Sequence, residues 1–413
     1  MNPNLTLAEC SDRKGLISRR LAVSLPNRRP SGIAESEELS AEHEDPTPNT
    51  EHLRPMRIGI AGLPRTGKTT VFHLLIGEHA SVTKAPGPGV GIAKVTDRRL
   101  GRLAEIFRPK KVTPVTVECL DFPALTREGK GSDVEGSVLA QLRQVDLILH
   151  AIRHFEDERV PHEEGTVDSF RDMAFLDTLF LLADLGVVEK RIERISEEIR
   201  KGRKEEGREE LPLLERCRDW LTSEQSLRET ALTAEEEKTL RGYALLTLKP
   251  LLLLLNIGEE MIGKADPVWE QVQEKAAKPR TGCSRLPAKT EWELSQLAEE
   301  EIQEFSGALG LETLEYPSIL HRCLALSDLV TFFTAVGEEL RAWALPRGAT
   351  ALEAAGTIHT DMAKGFIKAE VIPFQDLEAS GSMAAAQKQG LLRLEGKGYR
   401  VQDGDILAVR FTR

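Results

Sequence analysis

The 413 residues carry 55 Lys and Arg against 66 Asp and Glu, a net charge of −11, with 40% hydrophobic and 29% charged residues. This is the make-up of a globular chain with room for two or three cores, and its negative balance argues against general polyanion binding, although a local basic patch stays compatible with it. The longest apolar stretch, Leu245–Leu255, falls short of a membrane span, and Cys10, Cys119, Cys217, Cys283 and Cys323 stand singly, which argues for reduced thiols in the cytoplasm and against a disulfide framework or zinc site.

Residues 1–55 read as a disordered leader, rich in Pro, Ser, Asn and Glu, with Glu35-Ser36-Glu37-Glu38 followed by Asp45-Pro46-Thr47-Pro48. Arg13, Arg19, Arg20, Arg28 and Arg29 suggest a transit peptide, but Glu9 and Asp12 interrupt that pattern. The leader is therefore expected to be dispensable, with translation able to begin at Met56. From Met56 the texture changes: Arg57-Ile58-Gly59-Ile60-Ala61-Gly62 predicts a buried strand running into a glycine turn. Strands are also predicted over Val115–Leu120, Asp146–Ile152, Leu251–Asn256 and Ser284–Leu286. Alternation of these with helical patterns implies α/β architecture with a parallel sheet.

An inserted helical hairpin is expected over 166–246. Its seam is Leu181, Leu185, Val188, Ile192, Ile195 and Ile199, spaced like a short coiled coil. A bend at Gly202–Gly207, a second amphipathic stretch through Leu214, Cys217 and Leu221, and a Thr233/Glu236 capping box complete it. The nucleotide domain then spans 56–165 and 247–326. Beyond 327, short strand-like runs at Arg341–Leu345, Phe366–Val371 and Ile406–Phe411 predict a small α+β domain over 327–413.

The chemistry is carried first by Gly62-Leu63-Pro64-Arg65-Thr66-Gly67-Lys68-Thr69, a full G-x-x-x-x-G-K-[ST] match between a strand and the amphipathic Val71–Ile76 helix. Backbone N–H groups of such a turn surround phosphates, Lys68 reaches the β/γ oxygens, and the Thr69 hydroxyl serves Mg²⁺. Thr70 follows in the first helical turn. Asp121, at the end of the second strand, is placed to hold Mg²⁺ directly or through water. Asn256, followed by Ile257, Gly258 and Glu259, offers an amide for a purine edge, and Pro287-Ala288-Lys289 offers backbone N–H groups to a base. His150 and His154 lack a partner motif, and His359 reads as structural.

These residues, in this order, resemble the Obg-like ATPases, or YchF family, among the translation-factor-related P-loop GTPases. The resemblance runs through Gly62–Thr70, Asp97–Lys111, Arg153-His154-Phe155-Glu156-Asp157, Asn256–Glu259, Ser327–Ala335, Arg341-Ala342-Trp343, Ile358–Phe374 and Arg393–Asp405. It implies a Ras-like nucleotide domain, an inserted coiled-coil domain and a terminal TGS module of the ubiquitin-like β-grasp kind. It also implies slow Mg²⁺-dependent hydrolysis of ATP, with GTP bound less tightly, by a monomer associated with ribosomes or ribosomal RNA and not with membranes. In guanine-reading relatives an N-K-x-D segment accepts from the base; here Ile257 and Glu259 replace its Lys and Asp, which removes a discrimination against adenine. In that family the backbone at Ile257 also takes part in nucleotide binding.

Three departures from the family pattern bear on hydrolysis. Ala85 stands where a Thr completes the Mg²⁺ shell, with Thr83 two residues away. Ala124 replaces the glycine of D-x-x-G. Arg65-Thr66 replace small residues of the phosphate loop, and Leu125 stands near the place of a catalytic glutamine. Two other functions therefore compete: an interaction module with vestigial hydrolysis, favoured by Ala85 and Ala124, and a small-molecule P-loop kinase, which leaves the C-terminal part unexplained.

Overall fold

A computed structural model describes residues 54–77, 87–127, 133–201, 207–311 and 313–412. Nearly all of the expected leader, together with Thr83 and Ala85, lies outside them. In chain order the first half runs β1 (Met56–Ala61), α1 (Lys68–Ile76), β2 (Gly89–Lys94), α2 (Arg98–Phe107), β3 (Lys111–Thr113), β4 (Thr116–Asp121), α3 (Asp133–Leu142), β5 (Leu147–His154) and α4 (Ser169–Arg200). It continues through α5 (Leu211–Thr222), α6 (Ala234–Arg241), β6 (Leu251–Ile257), α7 (Pro267–Ala276), β7 (Thr281–Leu286), α8 (Ala288–Leu294), α9 (Glu299–Ala308) and α10 (Tyr316–Leu326).

The first sheet has the order β2-β4-β1-β5-β6-β7, parallel throughout except for β2, which pairs antiparallel with β4. The leucine run of β6 explains itself here. Leu252 and Leu254 face a core built on α1 and α10, while Leu251, Leu253 and Leu255 face a second core built on α3, α4 and Val272 of α7. A parallel strand covered on both faces has no use for alternation. Each fully buried leucine contributes about 1.5–3 kcal/mol relative to exposure. Because all these strands run the same way, their C-terminal ends gather Gly62, Asp121, His154, Asn256 and Ala288 along one edge.

α4 is 32 residues long and starts on Asp168, whose carboxylate accepts from Phe170 and Arg171 N–H at 3.1 and 3.0 Å. Its first half covers the sheet; its second half packs Leu181, Leu185, Val188, Ile192 and Ile195 with Leu213, Leu214, Cys217 and Leu221 of α5. Ile199, the last residue of the expected seam, is exposed. Thr233 and Glu236 form the anticipated capping box at the start of α6. Among the described residues, no helix is long and apolar enough to cross a membrane.

The second sheet is built from β8 (Leu329–Val336), β9 (Glu339–Pro346), β10 (Phe366–Pro373), β11 (Arg393–Glu395) and β12 (Asp405–Phe411), in the order β11-β10-β12-β8-β9-β3. One of its two edge strands is thus β3, from the segment that precedes Asp121. β3 pairs parallel with β9 at Lys111↔Glu339, Val112↔Leu340 and Thr113↔Arg341. Phe333, Leu340, Ala342, Ile372 and Ile406 share a continuous core with β1, α1 and α2. Arg99 on α2 adds a polar tie: it donates to Asp403 at 2.6 Å and lies over the Phe333 ring, while Asp403 accepts from Thr331 N–H at 2.8 Å. Where the sequence suggests an independent unit from 327 onward, the structure joins it to the first sheet through a strand, a core and an ion pair.

Candidate functional site

β1 delivers the chain into the phosphate loop at Gly62, where a Cβ would stand 2.5 Å from the Ala151 carbonyl oxygen, so only glycine fits. The loop then folds back on itself. The Leu63 carbonyl accepts from Lys68 Nζ at 2.6 Å and from Thr66 Oγ1 at 3.1 Å. Pro64 is half-buried and Arg65 exposed, Thr66 is buried beneath them, and Thr70 is half-buried in the first turn of α1. Gly67 takes a left-handed φ of 85°, and a Cβ there would lie 2.4 Å from Asn256 Nδ2.

Lys68 is 7% exposed, and burial lowers its pKa to about 8, with Asp121 and Glu163 pulling the other way. Thr69 Oγ1 donates to Asp121 Oδ2 at 2.7 Å. Burial raises the pKa of Asp121, opposed by the Thr69 bond and by Lys68. Its second oxygen, Oδ1, is buried and has no partner. A hydroxyl and an unsatisfied carboxylate oxygen side by side are hard oxygen donors that fit Mg²⁺, an ion that takes few protein ligands and keeps water and phosphate for the rest. No cluster of three or more His, Cys, Asp or Glu exists among the described residues to form an all-protein cage.

At the other end of the site, Asn256 is a brace. It is 4% exposed; Nδ2 donates to the Thr66 carbonyl at 2.9 Å, and Oδ1 accepts from Ala288 N–H at 3.1 Å. The sequence suggested a direct base contact for both residues. Here the amide ties the phosphate loop to the β7–α8 turn, and the Ala288 N–H is engaged by Asn256. The Ile257 side chain is buried in the α4-side core. Glu259 is exposed in a 3₁₀ turn, and its carboxylate has no partner among the described residues.

Nothing in the sequence ties the segment between β5 and α4 to the phosphate loop. Arg65 Nη1 donates to the Pro161 carbonyl at 2.6 Å, which lays this segment against the phosphate loop. His162 is held by Asp172 of α4 at 2.9 Å, and Arg127, just after the Asp121 loop, pairs with Glu164 at 3.3 Å. The signal available was Arg65 itself, a bulky residue in a loop of small ones. Arg153 is buried at the end of β5 with its Nη1 unpartnered. The histidines are not grouped for catalysis. His150 is buried mid-strand, where desolvation lowers its pKa to about 3; His154 bridges Ser169 (2.9 Å) and Asp266 (3.3 Å); His359 accepts from Asp361 N–H as a helix cap.

Residues 57–213 match the family model described as 50S ribosome-binding GTPase, and residues 329–412 match the YchF-GTPase C-terminal model, described as a protein of unknown function. The ribosome-binding ATPase YchF of Bacillus subtilis is 36% identical over 363 residues, covering 86% of this chain and 98% of its own. That of Escherichia coli O157:H7 is 36% identical over 361 residues, covering 86% and 99%. The chain belongs to the YchF family. The solved structure of the Schizosaccharomyces pombe YchF GTPase, 27% identical, superposes with a TM-score of 0.75 over 86% of this chain and 99% of its own. Membership makes this YchF-family chain a P-loop ATPase/GTPase enzyme, which agrees with the glycine-shaped loop and with Lys68 beneath it.

Proposed function

We propose that the chain is a cytoplasmic, monomeric, Mg²⁺-dependent ATPase of the Obg-like kind that turns over slowly as a switch on the ribosome. In this reading residues 1–55 are a leader, 56–165 with 247–326 the nucleotide domain, 166–246 a coiled-coil hairpin, and 327–413 a TGS module. The observation that carries it is the Gly62–Thr69 nest with Lys68 beneath it and Thr69 bonded to Asp121. The relatives, ribosome-binding ATPases, support the ATP and ribosome assignments.

Within this reading the loop N–H groups and Lys68 hold the β- and γ-phosphates, and Thr69 and Asp121 hold Mg²⁺. The ion, when bound, neutralises phosphate charge. Asn256 keeps the loop in its phosphate-binding shape while the Ile257 and Ala288 backbones border the base. Glu259 takes the place of a guanine-reading Asp, and the Ala288 N–H is already spent on Asn256, so a guanine carbonyl finds fewer donors. ATP is expected to bind about tenfold more tightly than GTP, worth about 1.4 kcal/mol. Calorimetric titration with each nucleotide, with and without Mg²⁺, alongside a phosphate-release assay, tests this; tighter GTP binding would reverse the base assignment.

A second reading, binding with vestigial hydrolysis, is favoured by Leu125, which is 1% exposed in the α4-side core and presents nothing to an attacking water. Single-turnover hydrolysis of ATP by the parent separates the two readings, and the variant carrying Ala85→Thr and Ala124→Gly asks whether these departures slow it. If the missing switch groups limit the rate, single-turnover hydrolysis rises measurably, since one positioned donor is typically worth on the order of 100-fold. An unchanged rate means that another step or a missing partner sets it.

A further inference from the structure

We propose that Arg65 is a catalytic residue whose guanidinium leaves the Pro161 carbonyl and takes the oxygens of the transferred phosphoryl group. The inference rests on the ATPase reading and deepens it by naming a group that stabilises the transition state.

Four observations carry it. Arg65 sits inside the phosphate nest at φ 59°, a left-handed conformation that strains a side-chain-bearing residue and not a glycine. Such strain inside a site marks a side chain kept for what it does. The side chain is exposed and makes one hydrogen bond, Nη1 to the Pro161 carbonyl; the guanidinium's other donors have no partner among the described residues. Three cationic heads, of Arg65, Lys68 and Arg153, lie around this loop, and nearby carboxylates offset the charge of the other two: Asp121 and Glu163 act on Lys68, and Glu156, Asp157 and Asp172 on Arg153. Lys68 is buried under the loop, and the buried Arg153 has an unpartnered Nη1 and a pKa lowered chiefly by desolvation, with Glu156 and Asp157 opposing and Arg65 adding to the fall. Finally, the Asp121 loop offers no side-chain substitute, because Ala124 has no polar side chain and Leu125 is turned into the core.

The chemistry needs such a group. Water forms a new bond to the γ-phosphorus, the bond between that phosphorus and the bridging oxygen breaks, its electron pair leaves on ADP, and the water proton ends on phosphate. Negative charge is spread over the three oxygens of the passing phosphoryl group, and a planar cation with paired donors is suited to bind two of them.

The test compares the parent with Arg65→Gly, which relieves the backbone strain, and Arg65→Lys, which can still reach a carbonyl but cannot bind two oxygens in parallel. Single-turnover hydrolysis at saturating ATP and Mg²⁺ is expected to fall about 100-fold in Arg65→Gly, with ATP affinity within about fivefold of the parent. It stays slow in Arg65→Lys, and low-millimolar guanidinium restores part of the Arg65→Gly rate. A merely tethering role predicts near-parental turnover in Arg65→Lys and no rescue. Either that pattern, or Arg65→Gly turning over within about twofold of the parent, overturns the assignment. A parent that releases no phosphate would instead remove the ATPase reading, and this inference with it.

Discussion

Lys68→Ala is expected to weaken ATP binding at least about 100-fold, close to 3 kcal/mol, without unfolding the protein. The ammonium is almost wholly buried, its only hydrogen bond among the described residues is to the Leu63 carbonyl, and desolvation has brought its pKa down to about 8. A cation kept in that state is unfavourable for the empty protein and becomes favourable only when phosphate charge arrives. Alanine removes the burial cost together with the ligand contact. The melting temperature of the nucleotide-free variant should therefore match or exceed the parent's, while calorimetry with Mg-ATP shows little or no heat. Affinity within about threefold of the parent would mean that Gly62–Thr69 is not where the phosphates bind.

That site was legible because its residue pattern is local, even where the contacts that enforce it reach distant strands. Two glycines forced by a 2.5 Å approach to Ala151 and a 2.4 Å approach to Asn256, a lysine and a threonine at fixed spacing, and an aspartate at a strand end all leave their mark in the residue order. The β6 leucines and the Thr233/Glu236 cap were readable for the same reason. What was not readable depends on partners far away in the chain. β3 is three residues long, too short for any period, and exists because Lys111–Thr113 meets β9, with Thr113 Oγ1 donating to Glu339 at 2.7 Å. The bond from Arg65 to Pro161 spans a loop without pattern. Asn256 was readable as a site residue but not in its geometry, because the residue type fixes the donors and acceptors and only the fold decides whom they face.

Asp184→Ala is expected to destabilise the protein by about 3–5 kcal/mol, the largest effect on stability foreseen for a single side chain. Asp184 is 0% exposed in mid-α4, where the helix passes from the sheet to the α5 hairpin. One oxygen accepts from Arg143 at 2.6 Å and from Leu246 N–H at 3.1 Å; the other accepts from Thr247 N–H at 2.7 Å and Thr247 Oγ1 at 2.8 Å. Arg143 also donates to the carbonyls of Ala183 and Ala244. One carboxylate thus joins α3, α4 and the turn that leads into β6. Alanine leaves a guanidinium and two buried N–H groups short of an acceptor, and such losses are charged at their full desolvation cost. Asp184→Asn keeps the shape and part of the acceptor capacity but loses the charge, so its loss should be intermediate. Since none of these groups touches the Gly62–Thr69 loop, ATP affinity measured well below the melting temperature should stay at the parental value in both variants. A denaturant titration of the three proteins gives the free energies. A loss under about 1 kcal/mol for Asp184→Ala would show that water or a rearranged turn satisfies these groups, and that the hairpin is held to the sheet by its apolar seam alone.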